Sequence, residues 1–302
     1  MSRSTRQKID GWVLLDKPVG PSSTQALARV RRVFDAAKGG HAGTLDPLAS
    51  GVLPIALGEA TKTLPYLADG DKEYEFAVRW GAATTTDDAE GEIVERSDIR
   101  PSAAQIMAAL GAFVGEIDQT PPAYSAIKID GKRAYALARA GEAVVMKSRK
   151  VLIHKLDFLG ASDADTARFR LACGKGTYVR SLARDLAKAL GSCAHVTELR
   201  RTAVGRFRLE AAISLDKLEG FGHSPARFGA LAPVETVLDD IPALAVTAEQ
   251  AAALRLGQAL RDPRVDPSPL EAPTLVVFCD GKLAALGAAS GGFLRPTRIF
   301  NL

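Results

Sequence analysis

Between Glu73 and Trp80 the chain reads EYEFAVRW, with Tyr74, Phe76, Val78 and Trp80 at every second position. Alternation with a period of two puts all four side chains on one face of an extended strand, and burying such a face takes a sheet. Other segments extend the pattern. Residues 12–15 form a short apolar run, 52–57 read as a fully buried strand, and 151–159, 166–173 and 274–278 read as further strands. Helical signals are fewer. Pro21-Ser22-Ser23 opens a helical spacing through Ala26, Leu27, Val30, Val33 and Phe34, residues 102–114 suggest a second helix, and 177–190 a third, closed by Gly191 just past its end. Pro121-Pro122 interrupts the chain, and 131–140 reads as a short basic helix or an excursion. Strands outnumber helices and several neighbours can pair as hairpins, so the expected fold is α+β on a mixed or antiparallel central sheet rather than doubly wound.

The 302 residues, 47% of them hydrophobic, suffice for one large domain and a small one. The acidic, Gly- and Pro-punctuated stretch 218–242 is the expected boundary, which leaves about 60 residues for a small β domain or a second lobe. The N-terminus is polar and basic, and no apolar run approaches the roughly 20 residues that span a bilayer, so a cytoplasmic protein is expected. Three widely spaced cysteines and four scattered histidines fit neither a disulfide framework nor a metal site.

Net charge is only +4, yet its distribution is uneven. Residues 120–208 carry 18 Lys and Arg against 7 Asp and Glu, residues 73–119 carry 3 against 10, and residues 209–302 carry 8 against 11. The middle of the chain is therefore the candidate polyanion-binding face.

The stretch GHAGTLDPLASGVLP, residues 40–54, sets one aspartate, Asp46, among small and bend-prone residues. Taken alone, such an aspartate is a turn former, its carboxylate bonded to nearby amides. Two other segments give it possible company: the strand with Tyr74, and CGKGTYVR, residues 173–180, where Arg180 falls near the first turn of a helix. An arginine there can hold an anion, either a phosphate or the carboxylate of Asp46.

GHAGTLDPLASGVLPIALGEATK resembles the catalytic motif of the TruB family of tRNA pseudouridine-55 synthases. Further segments resemble that family in the same order: VLLDKPVGPSS near the N-terminus, Lys72-Glu73-Tyr74 through Gly91, PPAYSAIK with residues 132–140, and CGKGTYVRSLARDL followed by Leu199-Arg200-Arg201-Thr202. The resemblance runs from about residue 9 to 210. It implies a catalytic domain over 9–235 with a basic RNA-binding cleft, a thumb-like segment at about 120–150, and a small PUA-like β domain over 243–302, where the match thins and the net charge turns acidic.

The implied reaction is conversion of uridine 55 in the T loop of tRNA to pseudouridine, with no cofactor, no metal and no guide RNA, by a monomer that engages the T arm and elbow of tRNA. A role in tRNA folding can accompany it. By the same resemblance Asp46 is the catalytic carboxylate, Tyr74 stacks on the target base and serves in proton transfer, Arg180 pairs with Asp46, and His41 fills or braces the gap left by the extruded base. Lys17 and Pro18 match a motif under the active-site floor. Tyr178, Lys128, Lys132 and Arg133 fall to RNA binding, with Arg139 another phosphate contact. The isomerisation breaks N1–C1′ and makes C5–C1′ without redox change, which suits a carboxylate and an arginine. Two rivals are an RNA-binding protein whose benefit is refolding the tRNA elbow, and a glycosidase, which needs a second carboxylate for which Asp16 and Glu59 are the nearby candidates.

Overall fold

The computed structural model describes residues 7–125, 146–262 and 274–302, with the backbone of 128–129 and 132–133. A long mixed sheet forms its spine. From one edge its strands run Ile213–Ser214, Gly11–Lys17, Ala49–Leu57, Ala194–Val204, Lys72–Trp80, Thr166–Cys173, Arg149–Ala161 and Gly115–Gln119. Ala194–Val204 lies parallel to Ala49–Leu57 and antiparallel to Lys72–Trp80, so the sheet changes sense at its centre. The alternation in EYEFAVRW appears as expected: Tyr74, Phe76, Val78 and Trp80 are all buried, and Phe76 stacks on Phe169 of the neighbouring strand with ring centroids 5.3 Å apart.

Helix Ser23–Phe34 starts where the sequence signals it, with Ser22 as N-cap and Gln25 completing a capping box. It buries Ala26, Val30, Val33 and Phe34 against the sheet. The expected helix over 102–114 is α-helical only from Ala103 to Leu110 and tightens to a 3-10 turn over Gly111–Phe113. The expected helix from 177 starts two residues later, as Val179–Ala189. Its delay has a local cause: the Thr177 hydroxyl donates to the Gly174 carbonyl, and Gln119 holds Tyr178 extended by accepting from its N–H and donating to its C=O. Within 131–140 the backbone at Lys132–Arg133 is extended and pairs with Lys128–Ile129, not helical there; the remainder of that expectation lies outside the described residues.

A second sheet, ordered Ala243–Val246, Thr274–Cys279, Lys282–Ser290, Phe293–Ile299 and Leu260–Arg261, forms the C-terminal lobe. The stretch read as a boundary is not a free linker. Leu231–Ala232 pairs with Gly11–Lys17 at the edge of the long sheet. Trp12, Phe207 and Val234 share one apolar cluster with Val276, Leu286 and Phe300 of the C-terminal lobe. Among the described residues no helix is long and apolar enough to cross a membrane.

Candidate active site

The 40–54 loop is held from every side. Ser23, the first residue of its helix, donates its hydroxyl to the Leu45 carbonyl at 2.9 Å and accepts from the Leu45 N–H at 2.8 Å. Pro47 O accepts from Gly20 N–H, and Asp46 O accepts from Ala49 N–H in a tight turn. Arg201, 1% exposed, closes the loop's two ends together by donating Nε to Val52 O at 2.8 Å and Nη2 to Gly43 O at 2.9 Å. The small residues have a function here. Gly51 has a φ of +99°, and a Cβ there would lie 2.2 Å from the Arg201 carbonyl oxygen, so only glycine permits the close crossing of these two strands.

Asp46 is thereby fixed on the wall of a cavity of about 360 Å³. Arg180 Nη2 lies 2.8 Å from Asp46 Oδ2, and Arg180 Nη1 lies 3.3 Å from Asp88 Oδ2. The same guanidinium donates to Thr86 O at 2.8 Å and Tyr124 O at 3.0 Å, which leaves the side chain only 5% exposed yet fully engaged. A charge this buried is tolerated because it is paired and hydrogen-bonded on both edges. The Asp46 side chain, in contrast, is 40% exposed, so its desolvation has to come from whatever enters the cavity.

Tyr74 and Tyr178 line the same cavity. Burial pushes the Tyr74 hydroxyl above its usual range, against the opposing field of Arg201, so it stays protonated at neutral pH. Neither Lys17 nor His41 lines this cavity. Lys17 is fully buried, and its ammonium donates to the carbonyls of Pro18 and Pro21. Burial lowers its pKa to about 8, while the carboxylate of Asp46 works in the opposite direction. His41 ends the short strand Gly39–His41, paired with Ala49–Leu57, and its buried Nδ1 has no hydrogen-bond partner. Burial, and then the nearby Arg201, depress its pKa and favour neutral imidazole. The side chains of Lys128, Lys132, Arg133 and Arg139 lie outside the described residues.

Sequence reasoning missed Asp88, Arg149 and the bracing role of Arg201. Asp88 is 2% exposed and lies in the acidic loop after the Tyr74 strand, where its Oδ1 also accepts from Glu90 N–H. Nothing in sequence spacing singles it out from Asp87, which pairs instead with Arg184 at 2.9 Å. The two carboxylates considered as glycosidase partners are occupied elsewhere. Asp16 pairs with Arg200 at 2.8 Å, and Glu59 pairs with Lys62 and accepts from Asn301 N–H; neither lines the Asp46 cavity.

Comparison with known proteins agrees with the motif order. The family model for the TruB family pseudouridylate synthase N-terminal domain matches residues 31–179, and that for the tRNA pseudouridylate synthase B C-terminal domain matches 180–239. The chain is 52% identical to tRNA pseudouridine synthase B of Caulobacter sp. (strain K31) over 99% of both chains. It is 51% identical to the protein of that name from Rhodospirillum rubrum over 100% of both. A solved H/ACA RNP bound to a substrate RNA containing 2′-deoxyuridine is similar with a TM-score of 0.72 and 25% identity, over 97% of this chain and 85% of that one. Two adjoining family models and full-length identity of about one half carry one conclusion: the chain belongs to the TruB family of pseudouridylate synthases.

Proposed function

We propose that this protein is a tRNA pseudouridine synthase that isomerises uridine 55 of the T loop, with Asp46 as its catalytic carboxylate. The observation that carries the reading is the Asp46–Arg180 pair, 2.8 Å apart on the wall of a cavity that also holds Tyr74 and Tyr178. The relatives' name, tRNA pseudouridine synthase B, supplies the substrate class.

The residues suit the chemistry. Arg180, 2.8 Å away, aims the carboxylate as the entering nucleotide strips away its water. A uridine must leave its stack to reach a cavity, and Tyr74 offers the aromatic surface for the extruded base. Asp46 then adds to the base, attacks C1′ or takes a sugar proton; in each case N1–C1′ breaks, C5–C1′ forms, and C5 surrenders its hydrogen as a proton. His41, neutral and at the loop's edge, braces the RNA beside the extruded base. Lys17 acts from beneath the floor, through the loop, rather than on the RNA. Lys128, Lys132 and Arg133 contribute phosphate contacts in a thumb-like segment at about 120–150 within a basic cleft, and the segment lets the protein grip tRNA without a guide RNA. The catalytic domain spans 9–235, and the five-stranded C-terminal lobe over 243–302 is a PUA-like domain. We read the enzyme as a cytoplasmic monomer.

Release of tritium from 5-³H-uridine in an unmodified T-arm stem-loop tests the reading. Wild type is expected to release it, and Asp46→Asn to release none while binding the RNA within a few-fold of wild type. Equal release by the variant would remove Asp46 from the chemistry. Binding without release by wild type would make the protein an RNA binder or folding factor.

A further inference from the structure

We propose that Arg149 grips the backbone phosphate flanking the extruded nucleotide, as a fixed positioning contact on the wall of the Asp46 cavity; the inference rests on the synthase reading above. Among the described residues, the cavity is lined by four cationic side chains, Lys72, Arg149, Arg180 and Arg201, against the single carboxylate of Asp46. A cleft so lined draws an anion. Three of the four are already committed. Lys72 is 7% exposed and donates to the carbonyls of Ala68 and Gly70. Arg201 spans the loop ends, and Arg180 is divided between Asp46, Asp88 and two carbonyls.

Arg149 differs from all three. It is half-buried at the start of strand Arg149–Ala161. Its described partners are uncharged: Nη2 donates to Gly176 O, and the guanidinium lies 5.2 Å above the ring of Tyr178. Neither neutralises it. Its Nε is buried with no hydrogen-bond partner. An arginine carries donors on all three nitrogens in one planar fork, and that fork matches the paired oxygens of a phosphodiester. The contacts present fix the plane of the fork, through the ring and through the Gly176 carbonyl, and leave donors unused. Gly176 has a φ of +84°, a left-handed turn position that favours glycine, and its carbonyl is the one the guanidinium meets. Tyr178 lines the cavity beside it, so a base entering there brings its own 5′ or 3′ phosphate past Arg149.

The test combines Arg149→Ala and Arg149→Lys with T-arm stem-loop RNAs in which one phosphate beside the target uridine is a neutral methylphosphonate. Wild type and both variants are titrated against salt, and tritium release is followed in single turnover. The Ala variant is expected to bind the unmodified RNA about tenfold more weakly or worse. Its log–log salt slope should fall by about 0.7, the value for one phosphate on a single strand. One methylphosphonate should weaken wild type by a similar factor and cost the Ala variant nothing further, so that the two changes are not additive. Lys should restore the slope but only part of the affinity, because a point charge lacks the fork. Additive effects at every flanking phosphate, or an unchanged salt slope in a variant whose melting temperature matches wild type, would overturn the assignment. A loss of rate at saturating RNA with affinity intact would instead place Arg149 against the base and overturn it equally. Because binding and release are read separately, wild type that binds without releasing tritium would sink the synthase reading while the binding cycle still decides Arg149.

Discussion

A lysine with no exposure, an aspartate 40% exposed and an arginine 5% exposed share one small region, and each is held by a different device. Arg180 is stabilised by carboxylates and Arg201 by backbone carbonyls. Lys17 has two carbonyls and the field of Asp46, which do not offset its burial, so its pKa is lowered from 10.5 to about 8. Between these values the unfolded chain holds a proton that the folded chain has lost, so this group's contribution to stability rises with pH. Below pH 8 the lysine is charged in both states and the penalty is fully present. The shift corresponds to on the order of 3 kcal/mol across the whole window. Urea denaturation of wild type and Lys17→Met at pH 7.5 and 9.5 should show the stability difference moving in favour of wild type by about 1–2 kcal/mol. The carbonyls left unpaired in the variant add a pH-independent offset that cancels in this comparison. A flat difference would mean that the ammonium is better solvated than its surroundings imply.

At the scale of elements, the loop bearing Asp46 owes its shape to the start of helix Ser23–Phe34. The helix was legible in the sequence because Ser22 and Gln25 form a capping box and the apolar spacing follows at once. The clamp from Ser23 to Leu45 was not, since it joins residues 22 positions apart and depends on the loop folding back over the helix. The same holds for Gln119, whose amide brackets Tyr178 from 59 positions away and delays the helix carrying Arg180. Period and capping are local signals, whereas these clamps are tertiary. Asp46, Tyr74 and Arg180 stand out in the sequence because they sit in recognisable motifs, and the structure brings them to one cavity, whereas Asp88 and Arg149 are ordinary in sequence and distinguished only by what packs beside them. Ser23→Ala should leave the N–H and C=O of Leu45 buried and unpaired, at a cost of about 1–3 kcal/mol. Since Leu45 adjoins Asp46, tritium release at saturating RNA should fall by about tenfold or more while RNA affinity holds. Ser23→Thr, which keeps the hydroxyl, should recover part of the rate. Equal losses in both variants would indicate crowding at a fully packed site rather than loss of the clamp.

At the scale of the whole molecule, the C-terminal sheet is joined to the long sheet by contacts that composition does not announce. The acidic stretch at 218–242 reads as a linker because it is rich in turn formers, yet it contributes Leu231–Ala232 to the long sheet and Val234 to a shared apolar cluster. Phe300, 1% exposed, closes that cluster from the C-terminal side beside Trp12, with the Lys62 ammonium 5.7 Å from its ring centroid. Lys62 also donates to Ile299 O at 2.7 Å, and Glu59 accepts from Asn301 N–H at 2.8 Å, so the last residues are tied to the turn that follows Ala49–Leu57. Apolar burial across the join makes the two lobes one unfolding unit, and a single thermal transition is expected. Phe300→Ala removes a fully buried ring and should cost about 3–5 kcal/mol. For a chain of this length that is a fall of roughly 5–10 °C in the melting temperature of the whole protein. Calorimetry distinguishes this from separate lobes. A variant scan that splits into a lowered minor peak and an unmoved major one would show that the C-terminal lobe melts by itself and that the long sheet does not depend on it. A single peak, shifted as a whole, would mean that the loop bearing Asp46 draws part of its rigidity from the far end of the chain.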